Sequence, residues 1–400
     1  MQAVRLGVSR VSAVKLSSSV MESRAPLDQL VAGSAAFLLL LGFVMVGSAS
    51  TEISARNFGH PFYLLVKHSS FIALAVVGLL ATLVIPIRTW QRLHIIAYLG
   101  ALLLLICVLI PGVGREVNGA TRWIPLGFFT LQGSEFVKVL AAMFIAGYVA
   151  RPSGMSPSTL PGYLLPIGLT LFLSVLLLAQ PDFGAVIVMM SGVLAVLFFV
   201  KTPMKYFLPT VLVGIGVVAL LIYLQPYRMA RLVAFTDPWA HQYGGGYQLT
   251  QALIAIGRGE WLGLGLGNSV QKLFYLPEAH TDFLFSILVE ELGIAGALLT
   301  LLGFGVLVGR GLIIAKHSLR VDFVFHGALA AGISVMLGVQ ALINLGVNLG
   351  LLPTKGLTLP LMSFGGNSLL VSCLMIGLLL RVEWEIRQAP PPPNAKGGRS

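Results

Sequence analysis

The sequence predicts an all-α polytopic membrane protein. Its 400 residues are 56% hydrophobic and only 10% charged, and the mean hydropathy is +0.90, whereas soluble domains carry about a quarter charged residues. The apolar residues fall into runs of about 20, the length that an α-helix needs to cross roughly 30 Å of hydrocarbon. Because lipid cannot satisfy the hydrogen-bonding groups of irregular backbone, these runs must be helices.

Ten apolar runs predict about ten transmembrane helices within one domain, residues 30–385. The first 29 residues form a basic, Ser-rich N-terminal tail that lacks the apolar core of a signal peptide. Residues 386–400 form a Pro-rich tail that we expect to be disordered. The runs cover about residues 30–50, 64–86, 94–111, 133–150, 161–180, 183–200, 206–224, 283–308, 324–350 and 365–381.

An even number of helices places both termini on one side of the membrane. Most of the 26 Lys and Arg residues lie on that side, including Arg88, Arg151, Lys201 and Lys205 in short loops. The positive-inside rule makes this side, and both tails, cytoplasmic. The long polar segment between helices seven and eight, residues 225–281, is therefore a large periplasmic loop, and we expect function to concentrate there.

Composition also argues against several functions. The net charge of +11 is explained by topology and by anionic lipid headgroups, so it gives no case for nucleic acid as a partner. Cys107 and Cys373 both fall within apolar runs and predict neither a disulfide nor a thiolate metal site. Which residues would hold a metal ion is unknown from the sequence.

Five charged residues within or beside the spans need a structural explanation. Glu135 and Lys138 are three residues apart, on one helix face, where they can neutralise each other. Asp182 either caps the sixth helix or makes a polar contact at the outer membrane face. Glu290 and Glu291 lie inside the eighth span; because two buried acids need partners or protons, we expect them to line the protein interior in a structural role.

Five basic residues on the predicted outer side are candidates for substrate binding. Arg228 and Arg231, in QPYRMARLVAF, suit phosphate oxygens, although a solvated surface would explain them as well. Lys67, at the outer end of the second span, either reaches the headgroups or contacts an anion in an outward cavity. Lys355 and Arg122 lie in two other outer loops.

The large loop ends in LPEAHTDF, where Asp282 is the candidate catalytic residue. Its carboxyl lies where the loop meets an apolar span, and partial shielding from water can shift its pKa towards a value that suits proton abstraction. The alternative is that Asp282 only caps the eighth helix. Glu278 and His280, in the same motif, and Ser363, in the turn SFGGNS, are candidates for substrate contacts; the small residues around Ser363 would equally serve close helix packing.

In their order and spacing, the motifs NGATRW, SEF, QPDFG, GGGYQ, GLGNSVQK, LPEAHTDF, EELG and LLPTKGLTLPLMSFGGNS resemble the SEDS family, and its cell-division branch more than its elongation branch. The resemblance covers about residues 30–385. It implies a peptidoglycan glycosyltransferase that polymerises lipid II into β-1,4-linked glycan at the outer face of the bacterial inner membrane, at the division septum. The essential acid of the family's HTDF motif corresponds to Asp282. Small departures at Gly133, Ala252 and Asn367 concern helix packing more than chemistry.

This resemblance suggests a mechanism. Nucleotide sugars are absent outside the cell, so the donor is lipid-linked, and no nucleotide cofactor is expected. Asp282 would act as general base on the C4 hydroxyl of the acceptor, and undecaprenyl pyrophosphate would leave with inversion. The basic candidates would stabilise the leaving group, helped by Mg²⁺ or Mn²⁺ that the substrate's phosphates partly hold.

The resemblance also implies partners. We expect an FtsI-like transpeptidase, a class B penicillin-binding protein, together with other divisome proteins. The ninth span, residues 324–350, is rich in small residues and offers a surface for a partner's helix. The alternative function is a lipid II flippase; such transporters often contain inverted repeats, and no convincing repeat is present. A third reading, a divisome scaffold, would need no acid at Asp282.

Overall fold

The computed structural model describes residues 27–117, 119–127, 129–151 and 156–389. It is an all-α bundle with one small sheet, and each of the ten predicted spans corresponds to a helix. The helices are α1 (Gln29–Phe58), α2 (Tyr63–Val84), α3 (Ile87–Arg92), α4 (His94–Leu109), α5 (Gly133–Val149), α6 (Leu160–Ala179), α7 (Phe183–Phe199), α8 (Met204–Tyr223), α9 (Pro226–Thr236), α10 (Tyr247–Arg258), α11 (Leu284–Arg320), α12 (Val324–Asn348) and α13 (Gly366–Gln388).

The helices have the composition of membrane spans. Six of them, in the described part of the chain, combine a span's length with high hydropathy, namely α1, α2, α6, α8, α11 and α12; α4 and α7 are apolar but shorter. The predicted polytopic fold is confirmed. Most of both predicted tails, residues 1–26 and 390–400, lies outside the described residues, and α13 continues to Gln388, beyond the boundary predicted at residue 385.

Helix α12 lies at the centre of the bundle. It packs against α5, α7, α11 and α13, and Leu342 is its single exposed residue. Its small residues let these neighbours approach closely. The bundle itself covers most of this helix, so the surface left for a partner's helix lies around Leu342; that contact stays a prediction.

Helix α8 lies at the opposite extreme. None of its residues is buried, and its main contacts are with α9. An apolar helix with no buried residue has its side chains in the lipid. The large loop follows α8 and contains two short helices, α9 and α10.

A three-stranded antiparallel sheet follows α4 on the predicted outer side. Its strands are β1 (Arg115–Val117), β2 (Ala120–Pro125) and β3 (Thr130–Gln132), in the order β1-β2-β3. Trp123 on β2 lies opposite Gln132 of β3. Strands this short give too little alternation to be recognised from the sequence, and they were not predicted.

Helix α11 is broken at Gly293, which adopts φ 68° and ψ −167°. The loop segment 260–265 fills the break: it makes four main-chain hydrogen bonds of 2.9–3.2 Å with residues on both sides of Gly293. A Cβ on Gly293 would overlap the backbone of this segment, and one on Gly263 would overlap the carbonyl group of Glu291. Two glycines thus let the large loop insert into a spanning helix and satisfy its freed polar groups.

Two predictions for the charged residues of the spans are confirmed. The Nζ of Lys138 lies 2.9 Å from Glu135 Oε2, both side chains are buried, and the same ammonium donates to Gln340 Oε1 at 2.8 Å. Asp182 caps α7 by accepting a hydrogen bond from the Ala185 N–H at 3.2 Å. Lys138 and Glu135 neutralise each other, and Asp182 is hydrogen-bonded within the protein, so these groups need no lipid-facing explanation.

Glu290 and Glu291 anchor the large loop, as their predicted structural role requires. Both are fully buried. Glu290 accepts a short hydrogen bond from the Ser269 hydroxyl, and Glu291 accepts from the Lys272 ammonium at 2.8 Å and from the Ser48 hydroxyl at 2.7 Å. Glu290 and Glu291 of α11 thus bind the GNSVQK segment of the large loop.

Candidate active site

Asp282 lies just before α11, where α12 holds its main chain. Its carbonyl oxygen accepts hydrogen bonds from Asn344 Nδ2 at 2.8 Å and from Asn348 Nδ2 at 3.0 Å. The N-cap residue of α11 is Phe283, and no side chain caps the helix. The capping alternative for Asp282 is therefore wrong, and its half-buried carboxyl group is available for another task.

The surroundings of Asp282 bring its pKa close to neutrality. Burial, and next the negative charge of Glu278, raise the pKa of the carboxyl group to about 7, against the opposing effect of Arg231 and Arg122. A carboxylate with a pKa near the working pH is present in its basic form and still binds a proton well, which is the requirement for a general base.

A second loop, after α12, passes beside this carboxyl group. A Cβ built on Gly356 would lie 3.1 Å from Asp282 Oδ2, so a larger residue would press on the acid. Asn344, besides binding Asp282, donates to the Leu357 carbonyl oxygen at 2.6 Å. One amide group thus joins the HTDF motif to the PTKG motif and fixes the distance between them.

Four of the five basic candidates lie close to one another: the charges of Arg231 and Arg122 act on Asp282, and these two and Arg228 act on Lys355. Arg122, Arg228, Arg231 and Lys355 are called here the cation cluster. Burial, and next the charges of the three arginines in the cluster, lower the pKa of Lys355 to about 8. The Lys355 ammonium and the Arg228 guanidinium lie 4.3 and 4.9 Å from the ring centroid of Phe183. Such concentrated positive charge without equal negative charge is typical of an anion-binding site.

Each arginine of the cation cluster is held by main-chain oxygens. Arg122 on β2 donates to the carbonyl groups of Gln180 and Pro181 at 3.1 and 2.6 Å, in the turn between α6 and α7. Arg231 donates to the Thr354 carbonyl at 2.9 Å. These hydrogen bonds fix the guanidiniums in position. Since carbonyl groups are neutral, the positive charge of each guanidinium is not cancelled.

Helix α9 presents the other two guanidiniums on one face. Pro226 occupies its first turn, where the missing N–H costs nothing, and Arg228 and Arg231 follow three residues apart, hence on the same side. Both are half-buried, Arg228 also donates to the Leu221 carbonyl at 3.0 Å, and Arg231 stacks on Tyr227 with 4.5 Å to the ring centroid. The solvated-surface alternative does not describe these side chains.

Lys67 does not belong to the cation cluster. It is exposed on α2, a helix that packs against α1 and α13, and among the described contacts none joins it to Asp282. The alternative that it reaches the headgroups fits this position better.

The remaining candidates lie close to the acid in different roles. The Glu278 carboxylate is exposed and accepts a hydrogen bond from the Thr281 hydroxyl at 2.7 Å. His280 packs its ring 5.4 Å from that of Phe364, and burial lowers its pKa. Ser363 is buried, and its hydroxyl accepts from the Leu359 N–H at 3.0 Å, so it shapes the turn after Lys355.

Sequence reasoning missed Asn344, Asn348 and Phe183. The two asparagines are four residues apart within an otherwise apolar span, and two amides on one face of a buried helix were a readable signal. Phe183 carried no such signal, because an apolar residue at the start of an apolar helix is ordinary. Its place between two cations follows from the packing of separate loops.

Comparison with known proteins shows the family of the chain. The family of cell cycle proteins comprising FtsW, RodA and SpoVE matches residues 28–388. The chain belongs to the FtsW/RodA/SpoVE family. The SEDS resemblance inferred from the motifs is thereby confirmed.

Relatives within the FtsW/RodA/SpoVE family are similar over nearly the whole chain. The probable peptidoglycan glycosyltransferase FtsW of Pseudomonas fluorescens is 49% identical over 350 residues, 88% of this chain and 86% of that protein. The protein of the same name from Halorhodospira halophila is 49% identical over 364 residues, 91% of this chain and 92% of its own.

Solved structures share the fold of this family member. One is a chain of a peptidoglycan synthase complex that coordinates polymerization and crosslinking, with a TM-score of 0.74 at 30% identity over 92% of this chain and 100% of that chain. Another is the rod shape determining protein RodA of Thermus thermophilus, with a TM-score of 0.67 at 30% identity over 91% and 98%.

Proposed function

We propose that this chain is a peptidoglycan glycosyltransferase that polymerises lipid II into β-1,4-linked glycan strands during septal wall synthesis. One observation carries the proposal: Asp282, a half-buried carboxyl group with a pKa near 7, lies at the end of the large loop beside the cation cluster, whose three arginines are held by main-chain carbonyl groups. The relatives named peptidoglycan glycosyltransferases, about half identical over most of the chain, support it.

Asp282 is the general base of the proposed reaction. Its carboxylate takes the proton of the C4 hydroxyl on the acceptor GlcNAc as that oxygen forms a bond to the anomeric carbon of the donor MurNAc. The bond from that carbon to the pyrophosphate oxygen breaks at the same time. Because the leaving group departs from the face opposite to the attacking oxygen, the anomeric configuration inverts. A carboxylate with a raised pKa accepts the proton more readily than an ordinary one.

The cation cluster serves the other end of the broken bond. Negative charge develops on the pyrophosphate oxygens of the undecaprenyl leaving group, and fixed cations stabilise it most in the transition state. Arginine matches two phosphate oxygens at once, and lysine adds a point charge. Burial, and next its cationic neighbours, lower the pKa of Lys355; a bound pyrophosphate would oppose the second cause and raise the affinity of Lys355 for a proton.

A divalent cation, Mg²⁺ or Mn²⁺, would add to this charge. Within the described residues no group of three or more His, Cys, Asp and Glu side chains is placed to hold a metal ion. The donor set therefore suits a cation that the substrate's phosphates hold, with Asp282 and Glu278 as the nearest carboxylates. The ion would neutralise phosphate charge when bound.

The proposed partner is a class B penicillin-binding protein of the FtsI type, within the divisome at the inner membrane. A similar chain occurs in a complex that couples polymerization with crosslinking, and crosslinking is the reaction of that class of transpeptidase. Polymerisation at the outer face would deliver glycan directly to the partner's periplasmic domain.

The deciding experiment incubates purified lipid II with the wild-type protein and with Asp282→Asn, each with and without the penicillin-binding protein. We expect glycan polymer from the wild type and none from Asp282→Asn. Glu278→Gln, four residues earlier in the same motif, is the matched control and should retain polymerisation. Polymer from Asp282→Asn would show that Asp282 is not the general base. Lipid II crossing the bilayer without any polymer would establish the flippase instead.

A further inference from the structure

The C-terminal parts of α11 and α13 line a pocket of about 660 Å³ that opens to the surface. It lies at the other end of α11 from Asp282, on the face where the described chain both starts and ends. Its lining includes Arg310, Lys316 and Arg320 of α11 and Arg387 of α13. The glycosyltransferase site makes no use of this pocket.

Two of these arginines are fixed by buried carboxylates. Asp28, just before α1, accepts hydrogen bonds from Arg310 Nε and from Arg387 Nη2, both at 2.9 Å. Glu383, in the pocket wall, accepts from Arg387 Nε at 2.8 Å. Both carboxylates are more than nine-tenths buried, whereas each guanidinium keeps about a quarter of its side chain exposed. Both guanidiniums are therefore held rigidly, and that of Arg310 keeps part of its surface open to the pocket.

The pocket keeps an excess of positive charge. Lys316 and Arg320 lie one helical turn apart on α11, both exposed. Among the described residues, the pocket lining holds these two side chains, Arg310, Arg387 and one carboxylate, Glu383, while Asp28 lies behind the two arginines. A phosphate-bearing anion supplies the missing negative charge, and several of its oxygens can be bound at once by an arginine fork and an ammonium.

The position of the pocket indicates where such a phosphate comes from. Ile313 lines it with 55% of its surface exposed, so an apolar side chain lies in the open beside cations. This combination occurs where hydrocarbon gives way to headgroups. We propose that the pocket binds the phosphate of an anionic phospholipid in the adjoining leaflet, with Lys316 and Arg320 as the residues that select for its charge.

The test uses the full-length protein in detergent, titrated with phosphatidylglycerol or phosphatidylcholine and followed by native mass spectrometry. We expect phosphatidylglycerol to bind preferentially, and Lys316→Ala/Arg320→Ala to weaken that binding at least tenfold. The matched control is Arg88→Ala/Arg92→Ala. Both residues are exposed, and they lie on the same face, since the neighbouring Ile87 N–H donates to Glu385 of α13. This control should change the binding less than twofold.

Further arms separate the pocket from its rivals. An equal loss in both double variants would mean general attraction of headgroups and would overturn the proposal. Glycerol 3-phosphate that displaced the lipid at similar concentrations would show a soluble phosphate as the ligand and overturn the lipid assignment. The charge-keeping variant Lys316→Arg/Arg320→Lys, at an unchanged unfolding temperature, should bind within threefold of wild type; complete loss there would also contradict the proposal.

Discussion

Asn344 binds the main chain of Asp282 at 2.8 Å and, with the same Nδ2 atom, that of Leu357 at 2.6 Å. The first contact fixes the acid of the HTDF motif, and the second fixes the loop that carries Lys355. The general base and the loop that carries Lys355 thus share one support on the central helix α12. Their spacing is set by a residue that itself lies outside the reacting groups.

Replacement of Asn344 should therefore harm catalysis more than lipid binding. Asn344→Ala removes both hydrogen bonds; the Asp282 carbonyl keeps its bond from Asn348, whereas the buried Leu357 carbonyl loses its partner, which costs about 1–3 kcal/mol. We expect kcat to fall at least tenfold while KM for lipid II changes little, measured by polymerisation at several substrate concentrations. The control is Ser334→Ala on the same helix, because that hydroxyl donates to the Ala330 carbonyl of its own helix. Equal activity of the two variants would show that Asn344 positions nothing.

The activity should depend on pH with two limbs. Asp282 must be ionised to act as a base, so the rate rises with pH until it passes the pKa of about 7. Lys355 must be protonated to hold an anion, so the rate falls as pH passes its pKa of about 8. Glu278→Gln removes a negative charge that raises the pKa of Asp282, and it should move the acidic limb of kcat/KM to lower pH. An acidic limb that did not move would show that the charge of Glu278 does not affect the pKa of Asp282.

The sequence predicted the ten spans because long apolar runs have few alternatives in a membrane. It located Asp282 because an acid at the junction of a polar loop and a span is unusual. It could not show that Arg122 joins Lys355 and α9, since residues far apart in the chain meet only through helix packing. The short amphipathic helix α9 and strands such as β1 were missed because they contain too few residues for a clear period.

The cation cluster should be separable from the basic residue outside it. Arg231→Ala removes a guanidinium that the Thr354 carbonyl holds in place, and we expect kcat/KM for lipid II to fall about 10- to 100-fold, the loss usual for an electrostatic group at a developing charge. Lys67→Ala removes the same charge from exposed α2 and should change kcat/KM less than twofold. A larger effect of Lys67→Ala would place that residue at the substrate after all.

The acid that serves catalysis should cost stability. Since Asp282 binds its proton more tightly in the folded protein than in the unfolded chain, its ionisation favours unfolding; the cost is absent below about pH 4 and complete above about pH 7. Asp282→Asn removes this cost. We expect the variant to unfold at a higher temperature than wild type at pH 8, by a margin that shrinks at pH 5, in thermal scans in detergent. A margin independent of pH would mean that the carboxyl group is not the cause.

The insertion of the large loop into α11 should tolerate no side chain at its contact. A methyl group on Gly263 would overlap the Glu291 carbonyl, and the φ of +77° at this position is unfavourable for any other residue. Gly263→Ala should therefore break the hydrogen bonds that bridge Gly293 and lower the free energy of unfolding by several kcal/mol. We expect a lower unfolding temperature and faster proteolysis of the loop. Gly257→Ala is the matched control: it lies in α10 with open space around a Cβ, and alanine favours a helix over glycine by about 1 kcal/mol. It should leave stability unchanged or raise it. Equal behaviour of the two variants would mean that the loop and the broken helix are not held together at Gly263.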